Sequence, residues 1–111
     1  MKILVLAPEG MATDPVAGCD VVACRSVGEI ARALAGEFAA AVLVSDGLPA
    51  ADLEQAAGAV RACRFPVIEV RSERWDGTAY SPLSAACRGV ISGFGAAGIA
   101  AAAGLARDIA P

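Results

Sequence analysis

Gly89 to Ile109 reads GVISGFGAAGIAAAAGLARDI. The order of residue types predicts a short strand over Gly89 to Ser92, a glycine-rich turn, and a helix over Ala96 to Ile109. Working back toward the N-terminus, the same strand-then-helix order recurs. Pro66 to Val70 is an apolar run of strand length, followed by a polar loop from Arg71 to Ser81 and a helical turn opened by Pro82. Ala41 to Val44 predicts a third strand, and Ser45-Asp46-Gly47-Leu48-Pro49 carries turn chemistry before a helix from about Ala51 to Cys63. Val21 to Cys24 is a second short run, after which Glu29, Ile30, Ala33, Leu34 and Phe38 fall at helical spacing, with Gly36 weakening the last turn. Lys2 to Leu6, stopped by Pro8 and Gly10, is the first strand, apolar enough to be buried on both faces.

Strands alternating with helices predict a parallel sheet covered by helices on both faces. One connection departs from that plan. About a dozen residues, Ala7 to Asp20, separate the first and second strands, and Pro8, Gly10, Pro15 and Gly18 among them oppose a crossover helix. Either the link is irregular or the second strand pairs otherwise.

Composition narrows the function classes. The 111 residues, taken as one domain over 1–111, suffice for one core without metal or disulfide support. Hydrophobic content is 57%, but much of it is alanine, and the most apolar stretch, Ile99 to Ala106, is short, holds Gly104 and ends in Arg107 and Asp108. That suits a buried helix rather than a membrane span. The opening MKILVLAPEG lacks the apolar length of a signal peptide, so a cytoplasmic address is expected. A net charge of -3 without a Lys/Arg cluster opposes nucleic acid or a membrane surface as partner. Histidine is absent, and Cys19, Cys24, Cys63 and Cys87 show no C-x-x-C spacing, so neither metal nor redox cofactor is signalled and four buried thiols are expected.

Three stretches carry a wider resemblance. Tyr80 to Gly98, YSPLSAACRGVISGFGAAG, and Pro66-Val67-Ile68-Glu69-Val70 together with the opening MKILVLAPEG are similar to the type II 3-dehydroquinate dehydratases. The family has a Ser-Tyr-Leu-Ser-Pro run leading into Gly-Val-Ile-x-Gly-Leu-Gly-Ala-x-Gly, and a Pro-Val-Ile-Glu-Val strand. The resemblance covers most of the chain. It implies a flavodoxin-like three-layer sandwich with a five-stranded parallel sheet, and a homo-oligomer of the trimer or dodecamer type.

It also implies lost catalysis. The family's general-acid histidine falls on Arg71, its water-positioning Asn on Ser45, and the Tyr-Thr-His of the next turn on Pro49-Ala50-Ala51. Its lid tyrosine and the helix after it have no counterpart between Pro15 and Cys19, and Gly77-Thr78-Ala79-Tyr80-Ser81 stands where a substrate-facing arginine is expected. Arginine stays protonated at neutral pH and cannot act as a general acid in place of histidine. Each positioned acid or base is worth roughly 10²- to 10⁴-fold, so a degenerate, catalytically inactive homologue of this hydro-lyase of the shikimate pathway is expected. The rival reading is a divergent active dehydratase, or another enzyme using the same pocket.

The expected pocket lies beyond the carboxyl ends of the strands at the switch point. Ser45, Asp46 and Gly47 come to it from one loop, and Arg71, Ser72, Glu73 and Arg74 from another. By the resemblance, the backbone N–H groups of Ser72 and Glu73 match those that hold the substrate carboxylate, and a small carboxylate or phosphate is the expected ligand. The competing reading pairs Arg71 and Arg74 with Glu69, Glu73 or Asp76 on a solvated loop. Trp75 and Tyr80 either cap the pocket, anchor a subunit contact or pack the loop. Gly93-Phe94-Gly95-Ala96-Ala97-Gly98 satisfies G-x-G-x-x-G, but only 13 residues follow Gly98, too few for the acidic residue that a dinucleotide ribose needs. By the resemblance, these glycines serve close packing of strand on helix.

Overall fold

A computed structural model describes residues 2–10, 18–72, 81–95 and 97–110. Five strands, β1 (Ile3–Pro8), β2 (Cys19–Cys24), β3 (Ala40–Val44), β4 (Val67–Arg71) and β5 (Gly89–Ser92), form an all-parallel sheet in the order β2-β1-β3-β4-β5. Among the described residues four helices flank it: α1 (Val27–Leu34), α2 (Ala50–Ala62), α3 (Pro82–Ala86) and α4 (Ala97–Ile109). This is the flavodoxin-like sandwich that the alternation and the resemblance imply.

The two faces follow from the period of a strand. Leu4 and Leu6 of β1, Leu43 of β3 and Val67 of β4 point to one side, where Val27, Ile30 and Leu34 of α1, Val60 of α2 and Leu83 of α3 meet them. Ile3, Val5 and Ala7 with Val42, Val44, Ile68 and Val70 point to the other, which α4 covers with Ile99, Ala102, Ala103 and Ala106. Alanine at three of these contacts brings the helix close to the sheet, and all three are fully buried. Gly98 extends the same logic, since a Cβ there would lie 3.3 Å from Val70 Cγ1 and 3.6 Å from Ile91 Cγ2. Gly93 and Gly95 turn the chain with φ of +86° and +56°, which glycine adopts without steric cost.

Local signals set the helix ends. Ser26 caps α1 by accepting from the Glu29 N–H, while the Glu29 carboxylate accepts from the Arg25 N–H. Ser81 caps α3 by accepting from the Ser84 N–H, and Pro82 opens that helix where its missing N–H costs nothing. The first helix is shorter than its spacing predicts: it stops at Leu34, and Phe38 instead packs edge-on against Phe65 with ring centroids 6.0 Å apart. A Cβ on Gly36 would sit 3.1 Å from the Phe38 ring, so the glycine makes room for this reversal.

The second strand does pair in parallel with β1, from Ile3 beside Cys19 to Pro8 beside Cys24. Ten residues, Glu9 to Gly18, make the return. Fully extended they reach about 33 Å, enough to run back along a six-residue strand of roughly 20 Å. Residues 11–17 of this link lie outside the described residues. At the open edge, Val21 and Val22 are 38% and 39% exposed. No helix among the described residues is long and apolar enough to cross a membrane. The four cysteines form no disulfide, and of them Cys24 alone is buried, so the expectation of four buried thiols is corrected to one buried and three half-buried. Cys63 and Cys87 end up half-buried because they cap the last turns of α2 and α3 at the rim of the core.

Candidate functional site

A strand interior is a costly place for a charge unless it is paired and hydrogen-bonded. Glu69, midway along β4, is completely buried. It points to the α2 and α3 side, as do Leu43 beside it in the sheet and Arg71 two residues on. Both its oxygens are satisfied. Oε2 accepts from the Ser45 hydroxyl at 2.5 Å and from Arg71 Nε at 2.9 Å, and Oε1 accepts from the Ser84 hydroxyl at 2.5 Å. Arg71 Nη2 donates to the Ser84 oxygen at 2.9 Å, which closes the ring. Burial, reinforced by the negative Glu69 nearby, pushes the neighbouring Cys87 thiol up to about 12.

A second carboxylate locks the same loops together. The Asp46 side chain accepts from the Ser72 N–H at 2.9 Å and also from the Ser72 hydroxyl. Gly47 completes the turn with φ of +78°. The Ser45 N–H bonds the Val70 carbonyl at 3.0 Å, and the Gly95 N–H bonds the Ser72 carbonyl at 3.0 Å, so three loops at the carboxyl end of the sheet are tied in series.

Thus Ser45, Asp46, Arg71 and Ser72, expected on sequence grounds to face a ligand, are brought together: Ser45 and Arg71 both bond to Glu69, and Asp46 bonds directly to Ser72. Glu73 and Arg74 lie outside the described residues, as do Asp76, Trp75 and Tyr80. Of the alternatives for Arg71, pairing with Glu69 is what the structure contains, although the partner is a core carboxylate rather than one on a solvated loop. The resemblance matches the Ser72 N–H to a group that holds a substrate carboxylate, and here the chain's own Asp46 takes it.

A cavity of about 480 Å³ opens beside this cluster, between α1 and α2 at the ends of β1 and β3. That is the switch point, because the chain leaves β1 for β2 on one side and β3 leads to β4 on the other. Leu6, Val27, Ile30 and Leu43 line its apolar part, and Arg25, Asp46 and Asp52 bring charge to it. Asp46 and Gly47 therefore border both the cavity and the polar cluster. The volume falls in the range typical of small-molecule sites, about 300–1,000 Å³.

Sequence reading located the β3–α2 loop but missed Glu69 as the centre of the cluster, Ser84 as its partner, and Arg25 and Asp52 at the cavity. The signal for Glu69 was present: a lone acidic residue within Pro66-Val67-Ile68-Glu69-Val70, a strand otherwise apolar on both faces, requires a buried partner. Among the described residues no group of three or more His, Cys, Asp or Glu side chains could hold a metal ion. No protein-family model matches the chain, and no curated protein matches it.

Proposed function

We propose that the protein is a non-catalytic, small-molecule-binding relative of the type II 3-dehydroquinate dehydratases, the family its motifs resemble. The observation that carries this reading is the internal use of the polar groups at the expected site. Arg71 and Ser45 are bonded to Glu69, and Ser72 to Asp46. A general acid or base must reach the substrate proton within hydrogen-bonding distance and be able to give or take it. A guanidinium tied to a buried carboxylate does neither.

The same bonds speak against an anion as the ligand. The Ser72 N–H, which by resemblance would receive a small carboxylate or phosphate, already receives the Asp46 carboxylate. Binding in the neighbouring cavity needs no disruption of either lock. A cytoplasmic location and a trimeric or dodecameric assembly belong to this reading too. The exposed apolar groups Val21 and Val22 on the β2 edge and Phe94, 68% exposed after β5, offer surface for such contacts.

The test is incubation of purified protein with 3-dehydroquinate, followed by the absorbance of the conjugated product. The expected result is no dehydration above buffer. Turnover at a rate ordinary for an enzyme, about 1 per second or faster, overturns the reading.

A further inference from the structure

We propose that the switch-point cavity takes a small organic cation, an ammonium or amidinium group carried on an apolar body of about one ring. The inference rests on the binding reading above and adds the sign of the ligand's charge.

The cavity floor sets the body of the ligand. Leu6 and Leu43 from the sheet and Val27 and Ile30 from α1 present only carbon, and these side chains are all buried in the fold. An aromatic or branched aliphatic group entering here removes apolar surface from water without leaving a polar group unpaired.

The rim sets the charge. Among the described residues the cation at the cavity is Arg25, which holds Glu9 with Nε 2.6 Å from Oε2, so its charge is already matched. Two helix amino ends, ordinarily inviting to an anion, meet the cavity: α1 is capped by Ser26, with the Glu29 carboxylate on the Arg25 N–H before it, and α2, which has no side-chain cap, carries Asp52 in its first turn. Among the described residues the remaining charged groups at the cavity are Asp46 and Asp52, both acidic. Asp46 takes two bonds from neutral donors of Ser72, and among the described residues no cation pairs with it. Among the described residues no donor or cation engages the Asp52 side chain. A ligand ammonium is attracted by both carboxylates, and a ligand carboxylate is repelled by both. An apolar floor with acidic groups at its edge is the arrangement that amphipathic amines fit.

Three probes with one ring and different charge test this directly: 2-phenylethylamine, 2-phenylethanol and phenylacetate. Binding is followed by the methyl resonances of Leu6, Val27, Ile30 and Leu43 in the full chain at low salt. The expected result is saturable binding of the amine, at least about tenfold tighter than the alcohol, with the acid weakest. Asp52→Asn lowers amine affinity about tenfold and leaves the alcohol unchanged. Should that variant fail to fold, the salt dependence of the wild-type protein replaces it, since added salt weakens the amine and spares the alcohol. Leu48→Trp, at the cavity edge, abolishes binding of all three. Equal affinity for amine and alcohol, preference for the acid, or no saturable shift with any probe overturns the proposal. All three of these outcomes leave the non-catalytic reading standing, because only 3-dehydroquinate turnover decides that.

Discussion

Arg71 Nε lies 2.9 Å from Glu69 Oε2, and the two side chains leave the same face of β4 two residues apart, the carboxylate wholly buried and the guanidinium about a quarter exposed. An ion pair so placed forms without ordering a distant loop, because the strand itself fixes both Cβ positions. Its contribution lies in what its removal leaves behind: a buried carboxylate held by the Ser45 and Ser84 hydroxyls but without a counter-charge.

Arg71→Met is therefore expected to cost about 3 kcal/mol or more of unfolding free energy, measured by urea denaturation. Glu69→Leu combined with Arg71→Met recovers much of that loss, because the pair is replaced by packing rather than broken. A double variant no more stable than Arg71→Met alone contradicts a primarily structural role for the pair.

Asp46→Ala removes the acceptor of both Ser72 bonds and is expected to cost about 1–3 kcal/mol. Hydrogen exchange at the Ser72 amide, protected in the parent by its bond to Asp46 Oδ1, accelerates in the variant by more than the global loss of stability accounts for. Exchange unchanged at Ser72 means that the lock does not form in solution.

Gly98 tests the closeness of α4 to the sheet. Valine there places extra carbon against Val70 Cγ1, already 3.3 Å from the first Cβ position, and is expected to destabilise by about 1–3 kcal/mol. Alanine costs far less, since its gain in helix propensity offsets a shift of a few tenths of an ångström. Thermal melts of the two variants give the comparison.

Alkaline pH weakens the fold through its thiols. Cys87 is pushed up from 9.0 to about 12, mainly by burial and further by Glu69, and Cys24 and Cys63 are raised as well, chiefly by burial. The folded state favours the neutral thiol, so their contribution is complete below the unfolded value and is lost as pH climbs from about 9 toward 12. Cys87→Ala flattens this limb of the stability curve measured by denaturation at successive pH values. A limb equally steep in the variant removes Cys87 as a cause.

The strand and helix order was legible because glycine, proline and turn residues punctuate the runs, as Pro8 and Gly10 at the end of the first strand and Pro82 at the start of the third helix illustrate. The end of α1 was not, since Phe38 keeps helical spacing in sequence while its ring turns to Phe65, a contact that spacing cannot encode. The pairing of β2 was open for a similar reason: its neighbour is fixed by hydrogen bonds to β1, not by anything within Val21 to Cys24. At the candidate site, turn chemistry marked Ser45, Asp46 and Gly47, and the arginine after β4 was evident. What they bond to was hidden. Ser84 comes from a helix 13 positions beyond Arg71, and its choice of Glu69 depends on how α3 settles on the sheet.

The most direct test of the central claim asks whether any proton is taken from the family's substrate. 3-Dehydroquinate is held in D₂O with the protein in excess, and deuterium entry beside the ketone is followed by NMR against a protein-free control. Locked side chains at Glu69, Arg71 and Asp46 predict the same exchange rate in both tubes. Exchange clearly faster with the protein, and slowed by Arg71→Met, would show that this cluster moves protons after all.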